Sequence, residues 1–306
     1  MCQLDARANL SGKVAVVLGG CGEIQGRAIT LALADAGVSI AACDIDAEAV
    51  RIIVPEVQSR GVRILSMHAD VTDPDALGRF YDAVAKEFDR VDVVVNLPGG
   101  VQRSLFVDST PEQNARDIRL NYGYVIDSVR RAIPLIRRGG RGGSIINFTT
   151  IEAFRGAATF AVYAGAKAAT TNFSRALAVE LGADRIRVNM IAPDTSPART
   201  TNAALYPQDL ERFAALGPGA MQKTMEFYVP LKEQTPVEDL INGVLFLASD
   251  LSKSITGQTL HIDGGTSAAM GFLNWPIDGF MPAPLAGSFA RLYPQAHVAA
   301  VSSPVS

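Results

Sequence analysis

Apolar residues along the chain fall into short, nearly continuous runs separated by segments of helical period. Val14-Ala-Val-Val-Leu18 is the first run, and a helical pattern over residues 27–36 follows it, stopping at Gly37. Runs at 38–43, 62–68, 91–95, 143–148, 187–192 and 258–262 predict further strands. Helical patterns lie between them, at 47–60, 76–88, from 110 through the basic stretch that ends at Arg141, up to 181, and at 235–247. Asp73-Pro74 reads as an N-cap followed by proline at the first helical position. Thr110-Pro111-Glu112-Gln113 reads as a capping box. Strands that are apolar throughout and alternate with helices predict an α/β fold: one doubly wound parallel sheet with helices on both faces.

The pattern lapses at about 194–235, where proline, threonine, methionine and aromatics (Tyr206, Phe213, Met221, Met225, Phe227, Tyr228) collect. A long apolar connection after a parallel strand predicts a substrate lid. Residues 1–270 therefore read as a single catalytic domain that includes the lid, and 271–306 as a C-terminal extension. That extension carries Phe272, Trp275, Phe280, Phe289 and Tyr293 among prolines. So much apolar surface predicts that 270–294 pack over the substrate cleft or a neighbouring subunit, with the last ten residues disordered.

Composition narrows the function classes. The chain has 306 residues, 48% hydrophobic and 19% charged, as in ordinary globular proteins. A net charge of −3 gives no broad basic footprint for nucleic acid. Cys2, Cys21 and Cys43 share no metal-ligand spacing, and the three histidines are scattered, so no metal is expected. There is no signal-peptide layout and no apolar run long enough for a membrane span, which predicts a cytoplasmic protein with no membrane partner.

The chemistry begins where the first run ends, in Gly19-Gly20-Cys21-Gly22-Glu23-Ile24-Gln25-Gly26. Strand, glycine turn and helix in that order suit a dinucleotide, because glycines let the backbone approach a pyrophosphate and the helix start offers free N–H groups. Asp44 closes the second strand, where a carboxylate hydrogen-bonds adenosine ribose hydroxyls and repels a 2′-phosphate. Together these favour NAD over NADP. A second constellation is Tyr163-Ala-Gly-Ala-Lys167, whose phenol and ammonium share one helical face. A fixed cation there is expected to favour phenolate and suit the tyrosine to acid–base work. Thr150 ends the strand Ser144-Ile-Ile-Asn-Phe-Thr149, thirteen residues before Tyr163, where its hydroxyl can polarise a carbonyl.

Taken with Asp70-Val71, Asn96-x-x-Gly99, Asn121, Ala192-Pro193 and Ile255-Thr-Gly-Gln with Ile262-Asp-Gly-Gly265, these residues resemble the classical short-chain dehydrogenase/reductase family over roughly residues 10 to 265. The resemblance implies a seven-stranded Rossmann sheet and NAD(P)-dependent alcohol–carbonyl interconversion. It makes Tyr163 the acid/base, with Lys167 holding the nicotinamide ribose and lowering the tyrosine's pKa. Asn121 would position a water, and Thr150 would hold the substrate oxygen in place of the usual serine. Gly19, Gly20, Gly22, Ile24, Gly26, Asp44, Asp70, Val71, Asn96, Gly99, Pro193 and Thr195 would join Tyr163 and Lys167 in binding the cofactor. It also implies a homotetramer, with a dimer as the alternative.

Three departures from the family pattern stand out. Leu18 replaces a threonine and Gly26 is displaced by one residue in the glycine turn. Thr150 replaces serine, and its methyl narrows the pocket. Asn96-Leu-Pro-Gly99 and Pro193-Asp194 depart on the cofactor side. Glu152, two residues past Thr150, either faces the pocket or is a solvated turn residue. The reading is an NAD-dependent oxidoreductase interconverting a secondary alcohol and a ketone on a bulky hydrophobic substrate, steroid-like or polycyclic. The alternatives are a 3-oxoacyl thioester reductase and a catalytically silent NAD-sensing protein.

Overall fold

A computed structural model describes residues 3–22, 24–196, 211, 215–217 and 219–292. Seven parallel strands form one sheet: β1 (Val14–Leu18), β2 (Ser39–Asp44), β3 (Ile64–His68), β4 (Val93–Asn96), β5 (Gly143–Phe148), β6 (Ile186–Pro193) and β7 (Thr259–Ile262). Their order across the sheet is β3-β2-β1-β4-β5-β6-β7, which is the doubly wound Rossmann arrangement.

Alternate residues of each strand face opposite layers, and both layers are buried and apolar. Val14, Val16 and Leu18 pack with Leu77, Phe80, Val84, Val125 and Val129 on one side. Ala15 and Val17 pack with Ile29, Leu33, Ile53, Leu240 and Val244 on the other. The helices that supply these layers are α1 (Gln3–Ala8), α2 (Gln25–Asp35), α3 (Ala47–Gln58), α4 (Pro74–Glu87), α5 (Pro111–Ile118), α6 (Tyr124–Gly139), α7 (Ala161–Glu180), α8 (Ala220–Tyr228) and α9 (Val237–Ala248). A strand buried on both faces has no use for alternation, which is why the strands read as unbroken apolar runs.

The predicted caps form. Asp73 accepts from the Asp75 N–H at the start of α4, and Thr110 and Gln113 exchange side-chain and backbone bonds at the start of α5. The helix expected to run unbroken from 110 instead contains a π turn, Arg119–Gly123, between α5 and α6. Asn121 sits in that turn. Its side-chain nitrogen donates to the Asp117 carbonyl at 2.9 Å, four residues back, where a backbone N–H would ordinarily be. Such turns recur where a helix must aim a side chain.

Between β1 and β4 the strand order reverses, so the crevice at their carboxyl ends is left open. Of the connection at 194–235, residues 197–210, 212–214 and 218 lie outside the described residues, Tyr206 and Phe213 among them. Its later part is α8. Beyond β7, a short helix α10 (Thr266–Ala269) leads to an antiparallel hairpin of β8 (Leu273–Trp275) and β9 (Gly279–Met281), then α11 (Ala286–Leu292). Trp275 meets Phe227 of α8 edge-on at 5.3 Å, and Asn274 Nδ2 donates to the Glu226 carbonyl at 2.8 Å. The extension thus clamps α8 within its own chain. Its final residues, 293–306, lie outside the described residues. Among the described residues no helix is long and apolar enough to cross a membrane.

Candidate active site

A crevice of about 360 Å³ runs along the carboxyl ends of β1, β2 and β4, lined by Gly19, Gly22, Ile24, Gly26, Asp44, Asp70, Val71 and Gly99 among others. All eight were singled out from the sequence. The glycine turn explains its own composition. A Cβ on Gly26 would stand 1.9 Å from the Gly19 carbonyl oxygen, so the displaced glycine is the one that lets α2 press against the end of β1. Gly19 takes φ +68°, a left-handed conformation that favours glycine. A hydroxyl from α2 also ties the turn: Thr30 Oγ1 donates to the Gly20 carbonyl at 2.7 Å. Thr30 was not anticipated, although its place one turn inside α2 on the sheet-facing side was the available signal.

Asp44 also helps to hold the turn. One carboxylate oxygen accepts from the Cys21 and Gly22 N–H groups at 3.2 and 2.9 Å, and the other from the Asp46 N–H at 3.1 Å. Asp70 accepts from both the backbone and the hydroxyl of Thr72 at 2.8 Å, which fixes the loop after β3. Asn96 stands apart. Its side chain is fully buried, accepting from Ser128 at 2.6 Å and donating to Asn147 at 2.7 Å, and Asn147 in turn donates to Ser174 at 2.8 Å. The structure thus places the Asn96 side chain in a polar chain that ties β4 to β5 and α7.

Behind Gly99, α7 brings Lys167 against the crevice wall, with Tyr163 one turn earlier on the same helix. Lys167 is 2% exposed, and its ammonium donates to the Phe148 carbonyl at 2.9 Å. Gly99 makes room for it, since a Cβ there would stand 2.8 Å from Lys167 Nζ and 3.1 Å from Asn121 Oδ1. Asn121 is clamped on Gly100, accepting its N–H at 3.1 Å and donating to its carbonyl at 2.8 Å. Lys167, Asn121 and the cofactor crevice are therefore joined through Gly99-Gly100. Burial without a carboxylate partner lowers the Lys167 pKa to about 8.

The expectation that Lys167 draws the Tyr163 phenol down is not what the protein's own residues produce. Burial pushes Tyr163 up to about 12, with Glu152 and Asp194 adding to the rise and the neighbouring Thr150 hydroxyl opposing it. Nor is the Thr150 hydroxyl free, because it donates to Glu152. The other Glu152 oxygen accepts from Arg155 at 2.8 Å. Arg155 also donates to the Tyr228 hydroxyl at 2.6 Å, and Tyr228 donates to Asp194 at 2.6 Å. Thr266 adds a second donor to Asp194 at 2.8 Å. Glu152 therefore faces the site, and Asp194, unexplained in sequence, anchors α8 to the loop after β6. Burial raises the Asp194 carboxyl pKa despite these donors.

The residues fit a dinucleotide. A cradle that side chains would fill lies at Gly19, Gly20 and Gly26, and α2 begins above it. At the opposite end Thr195 takes φ +55°, with a buried hydroxyl that has no hydrogen-bond partner among the described residues. It follows Pro193 at the end of β6, where an amide donor or acceptor would satisfy it.

A Rossmann-type sheet with a tyrosine and a lysine one helical turn apart beside its open crevice defines an oxidoreductase class. A family profile described as Enoyl-(Acyl carrier protein) reductase matches residues 25–267. Versicolorin reductase stcU of Emericella nidulans is 32% identical over 260 residues, 84% of this chain and 96% of that protein. The 7alpha-hydroxysteroid dehydrogenase of Escherichia coli K12 is 28% identical over 256 residues, 84% of this chain and 94% of that one. A solved complex of carveol dehydrogenase from Mycobacterium avium with NAD superposes with a TM-score of 0.77 at 28% identity, covering 85% of this chain and 99% of that one. The chain belongs to the classical short-chain dehydrogenase/reductase family.

Proposed function

We propose that this oxidoreductase uses NAD to interconvert a secondary alcohol and a ketone on a bulky hydrophobic substrate. The observation that carries the reading is the seating of Lys167 against Gly99, a residue that lines the same crevice as the glycine turn and Asp44, with Tyr163 one helical turn before Lys167 and close to Thr150. A bound nicotinamide supplies hydride chemistry there. Gly19, Gly20, Gly22, Ile24 and Gly26 receive the pyrophosphate, Asp44 and Val71 the adenosine, and Pro193 and Thr195 the carboxamide end. Lys167 holds the nicotinamide ribose from behind Gly99. Tyr163 gives a proton to the substrate oxygen in reduction and takes it back in oxidation. Its high pKa keeps it protonated at neutral pH, as the reducing direction requires.

NAD rather than NADP is supported by the Asp44 carboxylate, which opposes a 2′-phosphate. Substrate size is supported by the aromatic surroundings: Phe160 tilts against Tyr163 at 6.0 Å, and Phe227 and Tyr228 lie on α8. The names of the relatives, versicolorin reductase, 7alpha-hydroxysteroid dehydrogenase and carveol dehydrogenase, are in keeping with it. A homotetramer is the assembly we infer with this reading. Exposed Leu105, Phe106 and Val107, together with Ile118 on α5, offer it apolar surface.

Substitution Tyr163→Phe tests the reading. Turnover of hydrophobic secondary alcohols should fall on the order of 10²- to 10⁴-fold, the usual worth of a general acid–base, while NADH still quenches protein fluorescence. Undiminished turnover would overturn it.

A further inference from the structure

We propose that the cavity at the amino ends of the strands is a binding site for a polyphosphate, either inorganic or carried by a nucleotide. It lies across the sheet from the cofactor crevice, and the proposal does not depend on the reaction inferred above.

The cavity measures about 850 Å³, within the range of small-molecule sites. Lys13 ahead of β1, Asp92 ahead of β4, Gly143 and Ser144 of β5 and Arg187 of β6 line it. The cofactor crevice opens at the other ends of the strands. For a six-residue strand such as β5 that is roughly 20 Å away, at about 3.3 Å per residue. The two sites share no lining residue.

Charge distinguishes this cavity. Six cations line it, Lys13, Arg90, Arg141, Arg185, Arg187 and Lys253, against two carboxylates, Asp92 and Asp250. Four positive charges in excess therefore collect here, on a chain whose net charge is −3. Part of that excess serves the fold, because helix carboxyl ends meet the amino ends of parallel strands and cations suit them. Arg187 donates to the Leu247 and Ser249 carbonyls at 2.7 and 3.3 Å. Lys13 donates to Asp250 at 3.0 Å, and Arg90 to Asp92 at 3.1 Å. Both carboxylates have further donors: Asp92 accepts the Val14 N–H and Asp250 the Asn9 amide, each at 2.9 Å.

The other three cations have no comparable engagement. Arg185 and Lys253 are exposed, and their side chains have no hydrogen-bond or ion-pair partner among the described residues. Arg141 approaches Asp92 at 3.7 Å, beyond hydrogen-bond length. Asp184, the acid next to Arg185, is taken by Arg137 at 2.6 Å. Arg185 is also held at φ +57°, a left-handed conformation that costs a residue with a Cβ. Gly142 accommodates it, since a Cβ there would stand 2.2 Å from the Arg185 carbonyl oxygen. Backbone strain of this kind is what functional sites retain. Guanidinium groups match phosphate oxygens in pairs. A carboxylate brings one charge per group, whereas a chain of phosphoryl groups brings several in a small volume, which suits cations supplied by separate elements.

Calorimetric titration of the whole chain with inorganic triphosphate tests the site, at low salt without divalent metal, once alone and once with NADH present. One triphosphate should bind per chain, with an affinity that NADH leaves unchanged and added salt weakens. Arg141→Ala, Arg185→Ala and Lys253→Ala should each weaken it about ten-fold, the usual worth of a charge-assisted hydrogen bond, and leave NADH binding as it was. With NADH present, ATP that binds more tightly than triphosphate would make a nucleotide the occupant, and ATP that binds less tightly would make it the inorganic ion. No heat of binding, equal affinity for citrate, unchanged affinity in all three variants, or displacement by NADH would overturn the proposal. In the unaltered protein triphosphate should also slow phenylglyoxal modification of Arg141 and Arg185, but not of Arg51 on the surface of α3. Equal rates with and without it overturn the proposal even where a variant fails to fold. Failure of the oxidoreductase reading looks different, because it would show in Tyr163→Phe and leave the triphosphate titration as it was.

Discussion

Lys167 Nζ stands 2.8 Å from the point that a Cβ on Gly99 would occupy. The glycine after β4 and the lysine of α7 are thus a single fitted pair, and the crevice wall exists in its present form because one of them has no side chain. Gly99→Ala must move the ammonium or Asn121. Overpacking of this kind costs about 1–3 kcal/mol. Turnover should fall roughly ten-fold or more, since about 1.4 kcal/mol on a barrier is a factor of ten. Steady-state kinetics and a thermal melt would check it, the melt showing how much of the loss is stability.

Asp44 receives three backbone N–H groups, from Cys21, Gly22 and Asp46. Asp44→Ser shortens the reach and removes the charge. Hydrogen bonds to an ionised group are worth about 1.5–3 kcal/mol. NADH binding should therefore weaken about ten-fold or more, and the ratio of NADH to NADPH affinity should fall as the repulsion of a 2′-phosphate is lost. Fluorescence titration with both cofactors measures it. A ratio that stays constant removes Asp44 from the ribose.

Lys167 titrates near 8 in the folded protein, below its ordinary value, because burial opposes the charged form. Between about pH 8 and 10.5 the unfolded chain holds the proton that the folded one has lost, so this group makes stability rise with pH across that window. A shift of that size is worth about 3 kcal/mol at 1.36 kcal/mol per unit. Above pH 10 the raised Tyr163 acts in the opposite sense, since the unfolded phenol ionises first. Lys167→Met removes the first effect. Urea unfolding of the cofactor-free protein at pH 7 and pH 9.5 should show the variant's advantage over wild type shrinking as pH rises.

Trp275 and Asn274 hold α8 from outside, while Tyr228 on α8 holds Asp194 from inside. Truncation after Met270 should free the outer contacts and leave Phe227 exposed. The expected result is a higher KM for a bulky alcohol, with NADH affinity little changed, because the crevice at β1, β2 and β4 is untouched. Equal KM values for the full and truncated chains would show that the hairpin has no part in shaping the substrate side.

Much of this was readable without coordinates. Val14-Ala-Val-Val-Leu18 followed by glycines, Tyr163 four residues before Lys167, and Asp44 at the end of its strand are local patterns, and local geometry decides what they become. The direction of the Asn96 side chain was not readable: a polar residue at a strand end can turn outward or to its neighbour strand, and the parallel pairing of Asn96 with Asn147 turns it inward. The expected fall in the Tyr163 pKa failed similarly. Spacing puts a lysine on the right face, but burial of the phenol raises its pKa, and the carboxylates that add to the rise arrive from other elements, Glu152 after β5 and Asp194 after β6.

The order of apolar runs and helical periods, and the glycines between them, determined by themselves the doubly wound sheet, the family and most of the crevice lining. Each of those depends on residues a few positions apart. Tertiary structure alone decided that Thr30 ties the glycine turn through the Gly20 carbonyl, that Thr150 is bound to Glu152, and that Arg155 reaches Tyr228 across 73 residues of sequence. Hydrogen bonds of this kind act over about 3 Å, and which side chains come that close depends on where separate strands end and how helices lie across them.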